Sequence, residues 1–113
     1  MTDKIALCQL DEIDDSSAKG FEIGGQAIFA VRKDGKYFVY QNKCPHLQIE
    51  LEWMPDQFLD MDGVLIHCST HGALFLIDNG ECIAGPCLGE KLAVIAYTIE
   101  NNALMVAADL ALD

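Results

Sequence analysis

No stretch of this chain sustains a helical stripe. Its apolar residues fall instead into short runs rich in β-branched and aromatic side chains, each cut off by a turn signal. "KIALCQL" opens the series. "AIFAVRK" and "KYFVYQN" flank Asp34-Gly35, a dipeptide that accepts the positive φ of a two-residue hairpin turn. "VLIHC" and "GALFLID" follow, the second running into Asn79-Gly80. "KLAVIAYTIE", Asn101-Asn102 and "ALMVAADL" read as a third hairpin. "IELEWMPDQFLD" comes nearest to a helical period, and Pro55 interrupts it. The predicted fold is all-β, an antiparallel sandwich or barrel, with one long excursion between Cys44 and about Met61. A loop of that length inside a compact domain is usually functional.

With 113 residues, 51% of them hydrophobic, the chain can bury a core of its own, and residues 1–113 are predicted to form a single domain. Seven Lys and Arg against eighteen Asp and Glu give a net charge of −11, which opposes binding to nucleic acid and to anionic membranes. The longest uninterrupted apolar run, "LAVIAY" at 92–97, is far short of the ~20 residues of a membrane helix. The acidic start "MTDKIALCQLDEIDD" has no signal-peptide pattern, and five cysteines without a paired framework favour a reducing compartment. A soluble, cytoplasmic protein is expected.

The excursion is bracketed by "CPH" at its start and "CSTH" just beyond its end, so two of the three histidines and two of the five cysteines stand in pairs, with 21 residues between His46 and Cys68. Thiolate and neutral imidazole are metal ligands, and pairs on two loops can converge on one site. A single zinc ion usually takes paired ligands spaced by two to four residues, whereas only Pro45 separates Cys44 from His46. That tight step suits two neighbouring ions better, although the residue types also suit zinc.

"CPH" and "CSTH", followed by "GALF" and later "AGPC", resemble the Rieske family, whose motif is C-x-H, a variable spacer and C-x-x-H. The likeness extends over roughly residues 24 to 108. It implies a Rieske-like sandwich or barrel with a small cluster-binding subdomain, about 43–90, formed by two loops. It further implies one [2Fe-2S] cluster, with Cys44 and Cys68 on one iron and His46 and His71 on the other. Gly85-Pro86 stand where the family has its covering loop. The spacer exceeds the one common in ferredoxin-like members, and "LEWMPDQFLD" supplies the extra length.

The remaining candidates have simpler readings. Cys8 belongs to a strand pattern and is expected in the core, as are Cys82 and Cys87 beside the covering loop. His67 should point away from the side that Cys68 faces, as a non-ligand, with a redox-linked proton site as its alternative. Trp53 reads as a plug anchoring the excursion, or as a shield or partner contact.

High-potential Rieske centres carry a disulfide between the cluster loops, at the positions of Ile49 and Thr70 here, and hydroxyl donors to sulfur where this chain has Ala73 and Phe75. Between residues 44 and 90 there is no Lys or Arg, while eight carboxylates oppose the gain of an electron. A potential on the order of −150 mV, low in the Rieske range, is expected. The resemblance implies a soluble ferredoxin that carries electrons between a reductase and an oxygenase or reductase. It has no catalytic residues, no small-molecule substrate, and redox protein partners with a basic docking patch. A small Rieske subunit of a multi-subunit reductase, such as nitrite reductase, and a zinc-stabilised binding or sensor module are the alternatives.

Overall fold

The structure is a computed structural model that describes residues 4–23, 25–43, 58–59, 63–68, 72–85 and 88–107. Among these residues nine strands follow in order: β1 (Lys4–Gln9), β2 (Ser17–Ile23), β3 (Gln26–Lys33), β4 (Lys36–Gln41), β5 (Leu65–His67), β6 (Leu74–Leu76), β7 (Cys82–Ala84), β8 (Thr98–Glu100) and β9 (Ala103–Ala107). A short 3-10 turn, Leu10–Glu12, links β1 to β2. The strands form three antiparallel sheets, ordered β1-β9-β8, β2-β3-β4 and β5-β6-β7. The all-β, antiparallel expectation holds.

Two of the turns show how sequence becomes register. Asp34 and Gly35 have φ of 53° and 76°, and Asn101 and Asn102 have 51° and 63°. Positive φ at both central residues defines the type I′ turn, whose twist matches that of the strands it joins. The pairings Lys33↔Lys36 and Glu100↔Ala103 follow directly.

The β2-β3-β4 sheet carries a core on each face. Phe29 and Val31 of β3 and Tyr40 of β4 point one way, toward Ile66, Ala73, Phe75 and Cys82 of the β5-β6-β7 region. Ile28 and Ala30, with Tyr37 and Val39, point the other way, toward Cys8, Leu104 and Val106 of the β1-β9 pair. Burial on both faces explains why "AIFAV" reads as an unbroken apolar run rather than an alternating one. Each of these large side chains contributes roughly 1.5–3 kcal/mol by leaving water.

Two elements differ from the sequence expectation. β2 is a strand that "SAKGFEI" did not announce, because Ser17, Lys19 and Gly20 dilute its pattern and, among the described strands, it pairs with β3 alone. The segment 91–100, expected as one strand, contributes only Thr98–Glu100 as a strand. Its first part switches neighbours instead. Lys91 bridges Glu81, Val94 bridges Tyr40, and the Ile95 N–H donates to the Val39 carbonyl at 2.9 Å. Leu92 enters one core and Ile95 the other, so this segment fastens the two cores together and cannot form a long ladder in either.

Candidate metal centre

The second predicted ligand loop grows directly out of β5. Ile66 and Cys68 are wholly buried while Leu65 and His67 are half-buried, the alternation of an extended chain with one face on the core. His67 therefore lies on the face opposite Cys68, and its backbone N–H donates to the Phe58 carbonyl at 2.8 Å. Beyond the strand, the Cys68 N–H donates to the Ala73 carbonyl at 2.8 Å and the Gly72 N–H donates to the Cys68 carbonyl at 2.9 Å. These two bonds hold the entry and exit of the loop together, so little chain separates Cys68 from residue 72 in space. The thiol side of Cys68 is 0% exposed and shares its core with Ala73, Phe75 and Cys82.

Of the four predicted ligands, Cys68 alone is among the described residues. Cys44, His46 and His71 lie outside them, as do Trp53, Pro86 and Cys87. The chain leading to Cys44 is nevertheless fixed. At the end of β4 the Gln41 N–H donates to the Ala93 carbonyl at 2.9 Å and the Asn42 N–H to the Ala27 carbonyl at 2.8 Å. The far end of the excursion is anchored by Phe58, which is fully buried and stacks on Phe29 with ring centroids 4.4 Å apart and planes 6° from parallel. Among the described residues no three His, Cys, Asp or Glu side chains form a metal-holding group.

Gly85 completes the described part of the site. A Cβ built there would lie 2.7 Å from the Ala73 Cα and 3.1 Å from its Cβ, so the Gly85 backbone rests directly on Ala73. Sequence reasoning identified Gly85 as part of the cover and Ala73 as a missing hydroxyl donor, but not that the two touch. It also missed Tyr40, whose hydroxyl donates to the Ile77 carbonyl and so ties β4 to the β6–β7 turn. Burial, with the Asp78 carboxylate adding to it, pushes the Tyr40 phenol up to about 12.

Cys8 and Cys82 are buried as expected, while Cys87 lies outside the described residues. Cys82 is buried, and its thiol donates to the Ala84 carbonyl at 3.2 Å. Cys8 packs in the opposite core, where burial raises its thiol pKa, Glu12 adds to the rise and Lys19 opposes it. Asp78, Glu81 and Glu90 are exposed, and so are the apolar side chains of Ile83 and Leu88.

Residues 3–102 match the family described as Rieske [2Fe-2S] domain. The chain belongs to that family. Among its Rieske relatives, the ferredoxin component of the alkene monooxygenase system of Xanthobacter autotrophicus is 30% identical over 86 residues, covering 74% of this chain and 67% of that one. The biphenyl dioxygenase ferredoxin subunit of a Pseudomonas species is 27% identical over 99 residues, 88% of this chain and 86% of that one. The solved Sphingomonas yanoikuyae B1 ferredoxin superposes with a TM-score of 0.74 at 27% identity, covering 93% of this chain and 98% of its own. The ferredoxin of carbazole 1,9a-dioxygenase from Nocardioides aromaticivorans, at 19% identity and a TM-score of 0.74, shares the fold.

A Rieske domain implies a [2Fe-2S] cluster, and what is described of the Cys68 loop fits one. A thiolate ligand needs a dry, closed environment that admits no competing water, and Cys68 has it beneath Ala73 and Phe75.

Proposed function

We propose that this Rieske protein is a ferredoxin, a one-electron carrier between a reductase and an oxygenase, rather than an enzyme in its own right. The observation that carries the reading is the buried Cys68 at the mouth of a hydrogen-bonded loop, in a Rieske chain whose relatives include ferredoxin components of a monooxygenase and a dioxygenase system. Cys44 and Cys68 would hold one iron, His46 and His71 the other, within a single domain of residues 1–113. When bound, the group supplies a one-electron couple between its diferric and mixed-valence states. Cys68 provides an anionic ligand from inside the core. Gly85 rests on Ala73, and the hydrogen bonds from Cys68 to Ala73 and from Gly72 to Cys68 fix where the chain re-emerges.

The reductase and the oxygenase would meet the acidic side of the molecule through basic patches. Glu81 and Glu90 are exposed, and no cation occurs between residues 44 and 90. Such pairing speeds encounter without requiring tight affinity, which suits a carrier that must leave after each electron. No described helix is long and apolar enough to cross a membrane, and the cytoplasm remains the proposed compartment.

The test is electron paramagnetic resonance of the dithionite-reduced protein, purified without oxygen, with iron, sulfide and zinc analysis. A spin-half signal with nitrogen hyperfine coupling from imidazole, lost in Cys68→Ser and altered in His71→Cys, is expected. A colourless protein holding zinc, silent after reduction, would overturn electron transfer.

A further inference from the structure

The crevice between the β3–β4 turn and the β5-β6-β7 sheet has no part in the reading above. It encloses about 270 Å³ and is floored by Phe38, Val64, Leu65, Leu76 and Ile77. Lys33 and Lys36 stand at its rim, together with Asp34 and Asp78. β4 runs from this crevice at Lys36 to Gln41, three residues before Cys44, so the crevice lies at the far end of the strand from the first predicted ligand.

The two lysines are an anomaly. They are directly paired across the hairpin, Lys33↔Lys36, which places two ammonium groups on one face of a two-stranded ribbon. Like charges in that position repel and destabilise the hairpin. The protein has few cations, and two of the others are matched, Lys4 with Glu100 at 2.9 Å and Lys19 with Glu12 at 3.5 Å. Lys33 donates to the neutral Ser16 hydroxyl at 3.1 Å, and Lys36 has no polar partner among the described residues. An anion seated between the two ammonium groups would relieve the repulsion through charge-assisted hydrogen bonds.

The rest of the lining narrows the kind of anion. Asp34 and Asp78 at the rim oppose a doubly charged group, and a phosphate would leave the apolar floor unused. A single carboxylate on a compact apolar body meets both conditions. Its charge is drawn by the lysine pair, and its body removes apolar surface of five side chains from water. The chain's overall −11 charge does not forbid this, because distant exposed carboxylates are screened over ~8 Å in physiological salt while both lysines line the crevice itself. The volume is near the lower end of small-molecule pockets, the size of a one-ring acid rather than a larger cofactor.

We infer that this crevice is a binding site for a small apolar monocarboxylate, held at its carboxylate by Lys33 and Lys36. Ile77, whose carbonyl takes the Tyr40 hydrogen bond, and Leu65, the first residue of the β5 strand that leads to Cys68, both line the site.

The experiment is a titration of the full-length, cluster-loaded protein with sodium benzoate, followed by methyl NMR of its Leu, Ile and Val side chains. Saturable shifts confined to Val64, Leu65, Leu76 and Ile77 are expected. Benzamide, the neutral isostere, and the exposed variant Lys36→Glu should bind roughly tenfold more weakly or worse, the range for loss of a charge-assisted bond. Lys36→Arg should keep the affinity, which separates the role of charge from any general change in the hairpin. Equal binding of benzoate and benzamide, inorganic phosphate matching benzoate, shifts centred elsewhere, or no saturation at millimolar benzoate would each overturn the inference.

Discussion

At Gly85 a methyl group has nowhere to go. Its φ is 101°, and a Cβ would press on Ala73 backbone at 2.7 Å rather than on a side chain that could swing away. Gly85→Ala therefore combines a left-handed backbone cost of roughly 1–3 kcal/mol with displacement of the covering loop. We expect a loss of at least about 2 kcal/mol in urea unfolding, and faster loss of visible absorbance from the cluster. Gly25→Ala is the control, since its φ is also positive, at 83°, but nothing lies within 4 Å of the added carbon. It should show the backbone cost alone. If the two variants unfold alike, contact with Ala73 does not matter. At this scale the sequence is half legible. Cys68 is readable as a candidate ligand because chemistry limits which residues bind metal, and Ala73 is readable as the absence of a hydroxyl. That Gly85 lies on Ala73 is not, because the contact joins two loops whose approach depends on the sheet beneath them.

Among the elements, β4 holds the most telling position, between two cores. Tyr40 leaves its face to reach the Ile77 carbonyl beyond β6, within an apolar surround that keeps the phenol protonated to about 12, from an ordinary value of 10.0. The raised pKa means the folded state holds this proton more tightly than the unfolded chain. Stability is thus fully present below pH 10 and declines as pH rises from 10 to about 12. The decline attributable to this group is about 2–3 kcal/mol. Tyr40→Phe should remove that part of the pH dependence. At neutral pH it should cost about 1–3 kcal/mol, because the Ile77 carbonyl loses its donor. Denaturant unfolding of both proteins across this range isolates the effect from the other groups that titrate there. Parallel pH curves would show that Tyr40 is not the group responsible.

The strands themselves differ in how readable they are. The hairpins at Asp34-Gly35 and Asn101-Asn102 can be foreseen because local sequence alone accommodates positive φ at both positions. β2 and the passage through 91–97 cannot, because their pairing is dictated by partners. β2 is held by β3 despite weak local preference, and Leu92 and Ile95 are drawn to separate cores.

For the whole molecule, charge is the property that connects composition to function. A chain of net charge −11, with Glu81 and Glu90 exposed, makes gain of an electron less favourable and approach of a basic partner more favourable. The first effect, joined to the missing hydroxyls at Ala73 and Phe75, predicts a potential of about −150 mV in a potentiometric titration. A value well into the positive range would mean that donors outside these residues govern the sulfur atoms. The second effect acts on rate. Steering between opposite charges weakens once salt shortens the screening length from about 10 Å at 0.1 M to about 3 Å at 1 M. The second-order rate of electron transfer to a basic-patched partner should therefore fall by roughly tenfold over that range, with k_off little changed. Glu81→Gln combined with Glu90→Gln should reproduce part of the fall at low salt and flatten the remaining salt dependence, in stopped-flow measurements on the reduced protein. A rate indifferent to salt in both proteins would leave these carboxylates only a role in solubility. Docking would then rest on the exposed apolar side chains of Ile83 and Leu88, at 41% and 68% exposure.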